Sequence, residues 1–166
     1  MEKALFGAGC FWGVEESFRK IQGVVKTEVG YTGGHTLNPS YQSICEGDTN
    51  HVEVVLVEYD KKKISYDELL NHFWKCHDPT TLNRQGPDVG TQYRSAIFLN
   101  NSENLNVVKT SKTEFQSLLH SAGFNDITTE IKNNIDFYFA EIYHQQYLYK
   151  NPNGYCGLGG CGVKFK

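Results

Sequence analysis

The chain has 166 residues, 39% hydrophobic and 21% charged, a balance that suits a soluble globular protein long enough for one core. A formal net charge of −3 offers no attraction to nucleic acid or to an anionic membrane surface, so neither is expected as a partner. Five cysteines is an odd number, and Met1-Glu2-Lys3 leads into only a short apolar run; a cytoplasmic protein with reduced thiols and no membrane segment is expected.

Ala4-Leu5-Phe6 reads as a strand. Gly9-Cys10-Phe11-Trp12-Gly13 follows, and Phe11, Val14, Phe18 and Ile21 recur at helical spacing until Gln22-Gly23 stops them. The pattern predicts a strand, a tight glycine turn and a helix whose first turn contains Cys10. The free N–H groups of a helix start favour a thiolate there. Taken alone, the stretch has a plainer reading that prevails: Phe11 and Trp12 as core, and Cys10 as a small buried hydrophobe.

Val25, Thr27, Val29 and Tyr31 alternate as a strand ended by Thr32-Gly33-Gly34. Asn38-Pro39 predicts a short helical turn, with Asn as N-cap, that carries Tyr41 and Cys45 and closes at Gly47. His51 to Tyr59 is the longest strand, with Glu53, Val55, Val57 and Tyr59 on one face. Ser65-Tyr66-Asp67-Glu68 is a capping-box pattern opening a helix to about Cys76. The segment from His77 to Tyr93 is long and irregular, which in a compact domain usually marks function.

Arg94 to Leu99 reads as a strand, a helix capped by Asn101 or Ser102 runs to Gly123, and Ile127 to Lys132 is the last strand. A short helix over Tyr143 to Lys150 precedes a glycine-rich tail. Strands alternating with helices predict an α/β sandwich, some of its strands antiparallel. The whole chain reads as a single catalytic domain, with 151–166 a flexible tail.

In that tail Cys156 and Cys161 flank Gly-Leu-Gly-Gly, which lets them approach other groups. No second Cys/His pair matches them at zinc spacing, so no metal is expected. A reactive cysteine near one end and a thiol pair near the other is the pattern of a sulfenic acid and disulfide cycle. Cys45 and Cys76 carry no activating pattern and read as buried small hydrophobes. Glu53, Tyr41 and Tyr93 are individually unremarkable.

An ordered set of motifs adds to this. Gly-Cys-Phe-Trp-Gly, Gly30-Tyr31-Thr32-Gly33-Gly34, Asn38-Pro39-Ser40-Tyr41, Gly47-Asp48-Thr49-Asn50-His51-Val52-Glu53, His77-Asp78-Pro79, Gly90-Thr91-Gln92-Tyr93-Arg94-Ser95 and Gly154-Tyr155-Cys156-Gly157 together resemble the peptide-methionine (S)-S-oxide reductases. The resemblance runs from about residue 4 to about residue 162.

The resemblance implies an α/β sandwich around a split βαβ core, ferredoxin-like in plan. It implies Cys10 as nucleophile, Glu53 as proton donor, Tyr41 and Tyr93 as hydrogen-bond donors to the sulfoxide oxygen, and Phe11 and Trp12 as the wall holding the S-methyl group. Asp88 matches an aspartate that helps organise the site. Cys156 matches the thiol that resolves the Cys10 sulfenic acid. Thioredoxin or a dithiol is then the reductant, with no metal or organic cofactor. Substrates are oxidised proteins and small-molecule methionine sulfoxide, and a monomer is expected. Cys161 departs from the pattern, because the second tail cysteine in many family members lies further downstream; a relay through it and a bystander role both stay open. A thiol peroxidase, or a redox or metal-buffering module built on the tail, are the other classes weighed.

Overall fold

A computed structural model describes residues 1–133 and 136–166. Strand β1 (Glu2–Ala8) leads through Gly9 into helix α1 (Phe11–Arg19), then β2 (Val24–Thr32), the short helix α2 (Tyr41–Glu46) and β3 (Val52–Tyr59). Helix α3 (Tyr66–Cys76) is followed by two-residue strands β4 (Arg84–Gln85) and β5 (Asp88–Val89) and a 3-10 turn, Thr91–Tyr93. Then come β6 (Ser95–Leu99), α4 (Glu103–Ser121), β7 (Glu130–Asn133), β8 (Tyr138–Phe139), a second 3-10 turn at Ile142–His144, and α5 (Tyr147–Lys150).

The six-stranded sheet has the order β7-β6-β1-β3-β2-β8. Strand β3 lies antiparallel between β1 and β2, which are therefore parallel to each other and joined by α1. That is the split βαβ core the resemblance implied. Only the β6–β7 pair is parallel among the hydrogen-bonded neighbours described.

Alternation along the strands separates two apolar layers. Ala4, Phe6, Ala8, Val55 and Val57 face the helices α1, α3 and α4, while Leu5, Val52, Val54, Ala96 and Phe98 form a smaller cluster on the other face. Phe6 is the centre of the large layer, stacked at 5.1 Å on Phe18 of α1 and at 5.1 Å on Phe73 of α3. Trp74 is fully buried because its indole N–H donates to Ser111 Oγ on α4, at 2.8 Å. Phe6→Ala is expected to cost about 3–5 kcal/mol, the scale of a phenylalanine cavity in a close-packed core, read as a lowered urea midpoint at constant slope.

Several boundaries differ from expectation for local reasons. The N-cap of α2 is Ser40, whose hydroxyl accepts from the Ser43 N–H in a capping box, while Asn38 takes a left-handed turn with φ 47°. Gly47 closes that helix at φ 97°, as expected. At α4 it is Asn101 Oδ1 that accepts a helix N–H, from Asn104 at 3.2 Å. The long segment after α3 is folded into the β4–β5 hairpin and the 3-10 turn. The expected helix over 143–150 is two pieces, broken at Gln146, which has φ 51°.

Candidate active site

Cys10 is the N-cap residue of α1, at φ −55° and ψ 122°, one position before the helical turn in which the periodicity put it. Glu53, second residue of β3, projects on the same face as Val55 and Val57 toward the start of that helix. Its Oε1 accepts the Phe11 backbone N–H at 3.1 Å, and the residue is 1% exposed. Burial pushes the Glu53 carboxyl up to about 8, with the nearby Asp88 charge adding to it, and the single hydrogen bond from Phe11 does not offset them. At neutral pH this group is mostly a neutral carboxylic acid.

The expected thiolate is not what the environment favours. Burial, and next the Glu53 charge, push the Cys10 thiol up to about 12, with Asp88 and Cys156 acting in the same direction. The Trp12 backbone N–H at the helix start works the other way, as the helix-start argument anticipates. One N–H of a nine-residue helix is outweighed by desolvation and three neighbouring acidic groups.

Tyr41 comes from the first position of α2 and Tyr93 from the end of the 3-10 turn. Burial raises both phenols well above the ordinary value. Cys45 adds to Tyr41, and the charges of Glu53 and Cys10 add to both. Both hydroxyls therefore stay protonated and able to donate. Phe11 is buried against the rings of Tyr31 and His144, at 5.7 and 5.1 Å. Trp12 is half-buried and stacks on Tyr147 at 3.9 Å. Asp88 accepts the Tyr155 hydroxyl, 3.1 Å from either carboxylate oxygen, so it is tied to the tail. Cys156 is exposed, and its sulfur lies against Gly13 of α1.

The fold thus gathers Cys10, Glu53, Tyr41, Tyr93, Asp88 and Cys156 from six separate places in the chain. Cys161 is engaged elsewhere, bonded to Asp78 just beyond α3, and burial and that carboxylate push its thiol up to about 12. Cys45, expected to be buried, is exposed on a short surface helix. Cys76 matches expectation better: its thiol donates to the Phe73 carbonyl and packs against the core.

Three residues that sequence reasoning passed over shape the site. His144 Nδ1 accepts the Trp12 indole N–H at 2.9 Å, and its ring lies 4.7 Å from that of Tyr41. Glu141 accepts both the Tyr31 hydroxyl at 3.0 Å and the Tyr41 N–H at 2.9 Å. Glu15 is 1% exposed and accepts from Thr27 Oγ1 at 2.8 Å, Gln146 N–H at 2.7 Å and Gln146 Nε2 at 2.8 Å. It pins the segment that carries His144 onto α1. Glu15 had a signal, since it lies four residues after Phe11 and three before Phe18, on the apolar face. Glu141 and His144 had none beyond the density of polar and aromatic residues from 141 to 147.

A cysteine facing a neutral acid and two phenols is suited to attacking an electrophilic atom while a departing oxygen is protonated, the work of a thiol oxidoreductase. Comparison with known proteins gives the class its family. The model of the peptide methionine sulfoxide reductase family matches residues 2–160. A peptide methionine sulfoxide reductase MsrA of Pseudomonas entomophila is 58% identical over 160 residues, covering 96% of this chain and 72% of the relative. The crystal structure of Saccharomyces cerevisiae Mxr1 in reduced form superposes with a TM-score of 0.88 at 41% identity, over 94% of this chain and 88% of that one. Mxr1 in complex with Trx2 matches at a TM-score of 0.62 and 28% identity, over 88% and 84%. The chain belongs to the peptide methionine sulfoxide reductases. Among the described residues, no group of three or more His, Cys, Asp or Glu is placed to hold a metal ion, and no helix is long and apolar enough to cross a membrane.

Proposed function

We propose that this protein reduces methionine-(S)-sulfoxide, in oxidised proteins and as the free amino acid, using Cys10 as nucleophile and Glu53 as the proton donor. The observation that carries the reading is a carboxyl group held neutral to about 8 at the start of the helix that Cys10 caps. A sulfoxide oxygen departs from sulfur only when protonated, so the reaction needs an acid that is still undissociated at neutral pH.

With the oxygen toward Glu53 and the Tyr41 and Tyr93 hydroxyls, the methyl against Trp12 and Phe11, and the rest of the methionine left toward solvent, the three substituents of a sulfur facing Cys10 are fixed. Only one sulfur epimer satisfies all three. Glu53 gives its proton to the oxygen as the Cys10 sulfur attacks, and the thiol proton returns to the Glu53 carboxylate. The two phenols donate to the oxygen as charge develops on it. A bond forms between the Cys10 sulfur and the substrate sulfur; the hydroxyl then shifts to Cys10, and the substrate's sulfur–oxygen bond and the new sulfur–sulfur bond both break. Methionine and Cys10 sulfenic acid result, with no net proton exchanged.

Cys156 then attacks the sulfenic sulfur, forming the Cys10–Cys156 disulfide and releasing water. Thioredoxin reduces that disulfide, a role supported by the Mxr1–Trx2 complex. Direct reduction is favoured over a relay, because Cys161 is held at Asp78 with its thiol protonated and must leave that site before it can attack Cys156. No metal or organic cofactor enters any step, and the protein acts as a cytoplasmic monomer.

The pH dependence of single-turnover methionine formation tests the proton route. The raised Glu53 pKa means the competent acid is present below about 8 and is lost as pH rises through it. The rate should be flat below that point and fall tenfold per unit above it. A rate that climbs up to pH 8 and then levels would show that a preformed Cys10 thiolate is the reacting species instead.

A further inference from the structure

We infer that Gly13 is a positioning residue for the second chemical step: its missing side chain is a notch on α1, three residues on from Cys10, that seats the Cys156 sulfur before any substrate arrives. The inference rests on the roles proposed above for Cys10 and Cys156. Gly13 is the third residue of α1 and is buried. Glycine is a poor helix former, so the local preference of a short helix argues against it there. A Cβ built at Gly13 meets Cys156 Sγ at 2.7 Å and Leu158 Cβ at 3.3 Å. No real side chain tolerates the first contact. Even a methyl group would move the sulfur by roughly 1 Å to reach ordinary van der Waals separation.

The tail cannot give way freely, because it is fastened on both sides of that contact. Upstream, the Tyr155 hydroxyl donates to the Asp88 carboxylate. Downstream, Leu158 and Cys161 pack against the core, and the buried Phe165 ring lies 5.1 Å from Phe115. Cys156 is thus held on α1 while all the cysteines are free thiols. In the step served by this seat, the Cys156 sulfur attacks the Cys10 sulfenic sulfur. The sulfur–sulfur bond forms, the sulfur–oxygen bond breaks, and the hydroxyl leaves with the Cys156 proton as water. Cys156 is oxidised and the sulfenic sulfur reduced.

Gly13→Ala separates the two steps when a stoichiometric sulfoxide pulse is quenched without reductant. One methionine per protein should form at the wild-type rate. Disulfide formation, followed by thiol loss, should slow by up to about 10²-fold, the scale of a misplacement near 1 Å, and sulfenic acid trappable by dimedone should accumulate. A wild-type disulfide rate in a folded Gly13→Ala protein would overturn the inference. So would equal slowing of both steps, since the glycine would then be serving the Cys10 helix itself.

Tyr155→Phe releases the upstream fastener without touching the helix, and stands in if Gly13→Ala does not fold. It should slow disulfide formation severalfold and leave the methionine burst unchanged; an unchanged disulfide rate there counts against a seated tail. Failure of wild type to give any burst would overturn the proposed roles of Cys10 and Cys156 themselves, and the seat with them.

Discussion

Cys10→Ser is expected to abolish methionine sulfoxide reduction, with a loss on the order of 10⁴–10⁶, the scale of deleting a catalytic nucleophile. A hydroxyl oxygen does not replace the sulfur, because it is far less nucleophilic and cannot carry the sulfenic acid and disulfide that follow. The same change should not harm the fold. Cys10 occupies the N-cap of α1 without a side-chain capping bond, and serine is among the best N-cap residues, so stability should hold or rise by up to about 1 kcal/mol. Activity and stability would then move in opposite directions. An active Cys10→Ser protein would remove Cys10 from the mechanism, and an inactive but unfolded one would be seen at once in the melting curve.

Glu53→Gln is expected to slow single-turnover methionine formation by about 10²–10⁴, the contribution of a positioned general acid. The substitution is conservative in shape. An amide oxygen can still accept the Phe11 N–H that Glu53 accepts at 3.1 Å, so the helix start stays anchored. Only the transferable proton is lost. The fall in rate above pH 8 should disappear with it, because no group that titrates there remains on the proton path. An unchanged rate, or a variant that keeps the wild-type pH limb, would assign the proton to another group.

The sheet core was legible because its alternation is strict. Glu53 shares its strand face with Val55, Val57 and Tyr59, so its inward direction followed from period two alone. What alternation could not convey was that the carboxyl ends 1% exposed with one hydrogen bond. Its altered acidity is a tertiary effect.

Cys10 shows the opposite failure. The spacing of Phe11, Val14 and Phe18 marks the helix start, and a thiolate at that start follows from local physics alone. Desolvation and the charges of Glu53 and Asp88 then reverse it, and they arrive from positions more than forty residues away. Tyr41, Tyr93 and Asp88 were found through motif resemblance, since no spacing rule singles out a tyrosine in a loop. The helix expected over Tyr143 to Lys150 is instead two pieces broken at Gln146. The side chains of Gln146, His144 and Gln145 bond to Glu15, Trp12 and the backbone of Val29 rather than to their own turn, and such long-range contacts leave no period in the sequence.

The most direct test of the account mixes the reduced protein with one equivalent of methionine-(S)-sulfoxide in the absence of reductant. Released methionine is counted, and the cysteines are mapped under non-reducing conditions. The account predicts one methionine per protein and a Cys10–Cys156 disulfide, with Cys45, Cys76 and Cys161 still free, and no methionine from the R epimer. Methionine formed with Cys10 left as a free thiol, or formed equally from both epimers, would contradict it.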